Sequence, residues 1–262
     1  MLYLLAGVMF AIALVFSVLG QGGGVLYTPV QVWVGVDFHV AATTSLFLIM
    51  TTSLSATLVF RKAGRVDWPL VIVLETATTT GGLVGGLLSG HFSGRFLMLL
   101  FAGVVAFAAI FMVRDFHAEH PCPQRSSFFG WHRRLGEQHY CVNLAVALPV
   151  SFAAGAISGL VGVGGGILKV PMMVLLFGIP MEIAIGSSAL MVGLTAAGGF
   201  VGHVAAGHWD WRMSLVLAVA VFAGAQLGAR ISLSVDRTRL RRAFGLLLIA
   251  VAVLMVRRAL AG

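Results

Sequence analysis

Charge is what this sequence has least of. Asp, Glu, Lys and Arg make up 10% of its 262 residues against 59% hydrophobic ones, and the mean hydropathy is +1.01. So few charges cannot coat a water-facing surface around so much apolar side chain. A single soluble domain is excluded and the chain belongs in a bilayer. Acid is scarcer than base, with 9 Asp and Glu against 17 Lys and Arg, a net charge of +8. The basic residues sit in short loops between apolar stretches and not along one face, which is the pattern of positive-inside topology and excludes nucleic acid as a partner. Cysteine is nearly absent too. Cys122 and Cys141 both fall in the polar stretch 114–142, too few for a disulfide scaffold, and whether they pair depends on which side of the membrane that stretch faces. The apolar start, 1–20, lacks a basic beginning and a small-residue cleavage site, so it is expected to stay as a permanent segment.

What is there is apolar length and glycine. Nearly uncharged stretches at 40–60, 76–94, 96–113, 143–168, 183–209, 213–229 and 243–256 reach or approach the roughly 20 residues that a spanning helix needs. The chain also matches itself. Gly20-Gln21-Gly22-Gly23-Gly24 with Pro29 aligns with Gly162-Val163-Gly164-Gly165-Gly166 with Pro171, and Thr43-Thr44-Ser45 aligns with Gly186-Ser187-Ser188. Further on, Ala63-Gly64-Arg65-Val66-Asp67-Trp68 aligns with Ala206-Gly207-His208-Trp209-Asp210-Trp211, and Gly81 and Gly85 align with Gly224 and Gly228. Self-similarity this long makes two repeats.

Each repeat reads as an apolar helix, a glycine break, a segment of about a dozen residues (25–36; 167–178), and three long helices. A dozen helical residues rise only about 18 Å, too short for a core about 30 Å thick, so the short segment is expected to be half of a re-entrant hairpin. If it returns to its own side, the basic clusters at 61–65, 114–134 and 237–242 share one side of the membrane. Parallel repeats would move the last cluster across, so the inverted arrangement fits better. The expected fold is an all-α integral membrane protein with two inverted-topology repeats. Residues 1–113 and 143–262 each form a re-entrant or broken helical hairpin followed by three transmembrane helices, and a polar connecting loop, 114–142, lies on the cytoplasmic side.

Inverted repeats with paired broken helices are a plan common among secondary transporters. Glycine lets the backbone turn sharply and leaves its amides unshielded, while Pro29 and Pro171 are expected to keep the returning segment from becoming an ordinary helix. Exposed amides at helix N-termini attract anions. The expected substrate-binding residues are therefore Gly22, Gly23, Gly24, Gly164, Gly165 and Gly166, with the hydroxyls of Thr43, Thr44, Ser45, Ser187 and Ser188 and the ammonium of Lys169. Lys169 has a second reading, snorkelling to the interface, and its repeat partner is Tyr27. Glu75, whose repeat partner is Ala218, is the candidate for proton or ion coupling.

Other features have plainer readings. Gly81, Gly82, Gly85, Gly86, Gly224 and Gly228 suit close helix packing. Asp37 and Glu182 suit helix ends, and Asp67-Trp68 and Trp209-Asp210-Trp211 suit caps with interfacial anchors. The loop holds His117, His120, His132, His139, Cys122 and Cys141, soft ligands whose spacing matches no closed metal site, and is expected to be a solvated linker.

In the glycine-rich turn followed by proline, its repetition, the Thr/Ser run that begins the next helix and the AGxxDW turn of each half, the chain resembles the TauE/SafE sulfite exporter family, part of the TSUP superfamily. The resemblance covers almost the whole chain. It implies a multi-pass protein of the bacterial cytoplasmic membrane that moves small sulfur-containing anions, such as sulfite or organosulfonates, outward. It implies no organic cofactor, and as partners only the substrate, the lipid and a coupling proton or other ion. An anion channel, or a transporter of a different small anion, shares every one of these features. An enzyme does not: it needs a nucleophile or metal at membrane depth, whereas both cysteines lie in the loop and His39, His91, His203 and His208 lie near helix ends. Oligomeric state has no signature in the sequence.

Overall fold

A computed structural model describes residues 2–20, 24–88, 129–161, 166–205 and 209–261, with single helical positions between 96 and 110. Nine helices and one strand pair are described. They are α1 (Leu2–Val18), α2 (Gly24–Trp33), α3 (Phe38–Lys62), α4 (Trp68–Leu88), β1 (Gly130–Leu135), β2 (Gln138–Asn143), α5 (Leu144–Val161), α6 (Gly166–Pro171), α7 (Met181–Ala205), α8 (Trp211–Ser234) and α9 (Arg237–Ala261). Three are long and apolar enough to cross a membrane, at Val40–Lys62, Met181–Val201 and Trp211–Ser234, and Leu2–Val18, Leu144–Ile157 and Gly245–Leu254 are shorter apolar helices. The chain is a mostly helical membrane protein.

Two expectations need correction. The chain is not all-α, because the end of the polar loop forms an antiparallel hairpin in which Arg133 pairs with Tyr140 and His132 with Cys141. Leu135 pairs with Gln138 across a two-residue turn whose first residue, Gly136, has φ +61, a conformation that glycine adopts without strain. Pro29 also does not keep its short segment from becoming an ordinary helix, whereas after Pro171 the ordinary helix does end. Pro29 falls inside α2, and Pro171 closes α6, after which the chain continues as a π-helical turn, Met172–Leu176. Proline interrupts the ordinary ladder, and the wider register, with Phe177 N donating to Met172 O at 3.3 Å, takes it up. The segments are short as expected: ten residues in α2, and six in α6 before the five-residue turn.

The chain divides into two compact units, one of residues 1–66 with 185–235, the other of 67–184 with 236–262. Each unit therefore draws on both sequence repeats. The first packs Leu5, Met9, Tyr27, Leu48, Val192, Leu217 and Val221 into a buried cluster. Hydrogen bonds between its helices add direction: Ser55 Oγ donates to Phe222 O at 2.7 Å and Gln226 Nε2 to Ser55 O at 3.1 Å.

Each unit is built around one tight helix pair, and the two pairs occupy equivalent places in the repeats. In the first unit a Cβ at Gly224 or Gly228 of α8 would overlap the backbone carbonyl of Phe10 or Leu14 in α1. In the second a Cβ at Gly81 or Gly85 of α4 would overlap the carbonyl of Phe152 or Ala156 in α5, and one at Gly155 the carbonyl of Thr78. Gly81, Gly85, Gly224 and Gly228 are packing residues, as expected, and Gly155 joins them.

The aspartates act as caps. Asp37 Oδ1 accepts from Val40 N at 3.3 Å, Asp67 Oδ1 from Leu70 N at 3.2 Å, and Asp210 Oδ1 from Arg212 N and Met213 N at 3.0 and 3.1 Å. Trp68 and Trp211 begin their helices and stay exposed, as interfacial anchors do. Cys141 is disulfide-bonded, and such bonds persist on the oxidising side of a membrane. For this loop the disulfide and the charge count point to opposite sides.

Candidate functional site

The first unit holds Thr43, Thr44, Ser45, Ser187 and Ser188, all of them buried. Thr43, Thr44 and Ser45 lie in the second turn of α3, and Ser187 and Ser188 in that of α7. Ser188 Oγ donates to Gly20 O at 2.8 Å, at a tight turn where Gly20 has φ +69 and a Cβ would overlap Ile185 O. Thr44 Oγ1 lies 3.2 Å from Ser214 Oγ, to which Trp209 Nε1 donates at 3.0 Å. Ser45 Oγ accepts from Gln31 Nε2 at 2.8 Å, and the same amide reaches Tyr27 O at 3.0 Å. Gln31 is fully buried, and its Oε1 has no hydrogen-bond partner among the described residues. Tyr27 OH, also fully buried, lies 2.9 Å from Thr52 Oγ1, whose own proton goes to Leu48 O at 2.7 Å, so the tyrosine is the donor. This is a wholly neutral polar lattice.

The second unit holds the two ionisable candidates. Lys169 on α6 is 1% exposed, and its Nζ lies 2.7 Å from Oε2 of Glu75 on α4. The side chain is buried within the protein and does not run along its surface. Thr79 Oγ1, one turn further along α4, approaches the other carboxylate oxygen at 3.4 Å. A cation and an anion buried together neutralise each other's field, which is what lets both sit away from water. Gly24 and Gly166 begin α2 and α6, while Gly22, Gly23, Gly164 and Gly165 lie outside the described residues.

The second unit also holds a cluster that the sequence reading treats as a cap and some loop charges. Asp67, its side chain fully buried, accepts from Arg133 Nη2 at 2.6 Å and Nε at 3.1 Å, and from Tyr140 OH. Cross-strand pairing of Arg133 with Tyr140 puts both donors on the one hairpin face that turns toward α4. The hydrogen bond to Asp67 raises the Arg133 guanidinium above its usual range. Burial, and then the bond to Asp67, push the Tyr140 phenol well above its usual range. The opposite face exposes His132, Arg134 and His139. Among the described residues no group of three or more His, Cys, Asp or Glu could hold a metal ion.

A sequence model of the family described as Sulfite exporter TauE/SafE matches residues 5–255. The chain belongs to that family. It is 28% identical over 229 residues to a Bacillus subtilis (strain 168) protein named "Probable membrane transporter protein YunE", covering 82% of this chain and 83% of that one. A Xylella fastidiosa (strain 9a5c) protein named "Probable membrane transporter protein" is 30% identical over 249 residues, 92% of this chain and 90% of the relative. No solved structure matches the chain. This TauE/SafE protein is therefore a multi-pass membrane transporter. Family and relatives alike are named for transport and not for catalysis.

Among the polar residues, sequence reading passes over Gln31, Thr52 and the partners of Asp67. Tyr27 is noticed only as the repeat partner of Lys169, and that alignment was the one available signal that both positions are special.

Proposed function

We propose that this TauE/SafE protein is a secondary transporter that exports small sulfur-containing anions, such as sulfite or organosulfonates, across the cytoplasmic membrane. The observation that carries the proposal is the buried ammonium of Lys169, three residues beyond the Gly164, Gly165 and Gly166 run. A fixed positive charge at membrane depth is costly and is a mark of function, and glycine amides beside it supply donors that suit oxyanions. The proposed substrate-binding residues are those that the sequence points to: Gly22, Gly23, Gly24, Thr43, Thr44, Ser45, Gly164, Gly165, Gly166, Lys169, Ser187 and Ser188. Glu75 is the proposed coupling residue. The repeats of residues 1–113 and 143–262 are proposed to have inverted topology.

Counterflow of labelled sulfite in proteoliposomes tests this, with sulfate, an organosulfonate and chloride as competitors. Saturable counterflow, suppressed by sulfur oxyanions more than by chloride, is the expected result. Flux without saturation or counterflow marks an anion pore instead, and absence of flux in folded protein overturns sulfite as the substrate.

A further inference from the structure

Lys169 and Glu75 occupy a place where the repeat does not need charge. At the equivalent position in the first unit the partner of Lys169 is Tyr27, equally buried, which satisfies itself with a neutral hydrogen bond to Thr52. The helix frame therefore tolerates a neutral solution, and the ionic one in the second unit calls for a reason beyond packing. Among the described elements around the pair, the sequences of α5 and of the π-helical turn contain no ionisable residue, α6 holds Lys169 and α4 holds Glu75, with the hydroxyl of Thr79 close to its carboxylate. The next charged group described along α4 is Asp67 at its start, committed to Arg133 and Tyr140.

We infer that Glu75 is an internal stand-in for the substrate on Lys169, and that the anion replaces it only as Glu75 takes up a proton. This rests on the proposal that Lys169 binds the transported anion. One buried ammonium balances one negative charge, and a second unpaired anion beside it carries a prohibitive desolvation cost. The exchange conserves charge and atoms: carboxylate paired with ammonium, plus a proton and an anion, becomes neutral carboxylic acid beside an ammonium paired with the anion. No covalent bond other than the O–H of Glu75 forms. Anion and proton then move in the same direction, one proton with each anion bound, and release of either restores the internal pair.

Sulfite itself titrates, so the test compares two proteins at each pH. Sulfite counterflow is measured in proteoliposomes from about pH 6 to about pH 8 for the wild type and for Glu75→Gln, whose carboxamide copies the neutral acid at every pH. The wild-type to variant ratio is expected to fall with rising pH, approaching roughly tenfold per unit, the slope of one linked proton. The double variant Glu75→Gln with Lys169→Gln, which leaves no charge buried, is expected to fold and to carry no sulfite flux, and it decides the matter if Glu75→Gln does not fold. A ratio that does not change with pH, or flux retained in the double variant, overturns the inference while wild-type counterflow keeps the transporter reading standing. Absence of wild-type counterflow is a different result, which overturns that reading and the inference with it.

Discussion

The two units share a frame and differ in chemistry. In each, a helix from the start of one repeat packs on the helix that follows the AGxxDW turn of the other, and glycines at equivalent positions bring the backbones together: Gly224 and Gly228 against Phe10 and Leu14, Gly81 and Gly85 against Phe152 and Ala156. Yet where the first unit buries Tyr27 against Thr52, the second buries Lys169 against Glu75. Duplication kept the positions at which helices must touch, because a backbone clash has no rotamer that relieves it. It did not keep the residue pair Tyr27 and Lys169 alike, and among the described residues the ion pairs lie in the second unit.

Substitutions in the shared helix frame are expected to do the most damage. Gly85→Leu and Gly228→Leu each drive a side chain into a facing carbonyl, and each is expected to cost more than about 3 kcal/mol and to abolish monodisperse protein on size exclusion. If one of them is tolerated, the two helix pairs are not equivalent. Next comes the polar contrast. Lys169→Gln strands the buried carboxylate of Glu75 and is expected to destabilise by about 3–5 kcal/mol, most of it recovered when Glu75→Gln is added. Tyr27→Phe removes one neutral hydrogen bond and is expected to cost about 1 kcal/mol. Thermal unfolding in detergent ranks the three, and similar losses for Lys169→Gln and Tyr27→Phe would erase the contrast.

A third difference is the hairpin, described only in the second unit. Asp67→Asn removes the charge that holds Arg133 and Tyr140 and is expected to cost about 1.5–3 kcal/mol, read as faster proteolysis within residues 129–143. The smallest effect is with pH. The Tyr140 phenol titrates higher in the folded protein than its ordinary value of 10.0, so above that pH the unfolded chain loses a proton that the folded one keeps. Its contribution is therefore constant at neutral pH and turns destabilising as pH rises past about 10, a trend that Tyr140→Phe removes.

Much of the frame was legible in the sequence because it rests on local signals. Glycine spacing gave the packing faces, Asp before Trp gave the caps, and the run lengths gave the helices. The hairpin had its signal too, a Gly136-Glu137 turn between alternating residues, but the polar composition of 114–142 outweighed it. The Lys169 and Glu75 pair was not legible as a pair. The residues are 94 positions apart, lie on different repeats and share no period, so each could be singled out as an unexpected charge but not joined to the other. Nor does a repeat alignment tell which elements will pack together, and the units of this fold are assembled across the repeats.

Under the proposed function, transport depends on the charged pair Lys169 and Glu75 and not on the neutral pair Tyr27 and Thr52. Sulfite counterflow in proteoliposomes by two folded double variants tests it directly: Glu75→Gln with Lys169→Gln, and Tyr27→Phe with Thr52→Val. The first is expected to abolish counterflow and the second to keep it within about twofold of wild type. Equal losses in the two, or counterflow surviving without the pair, would contradict it.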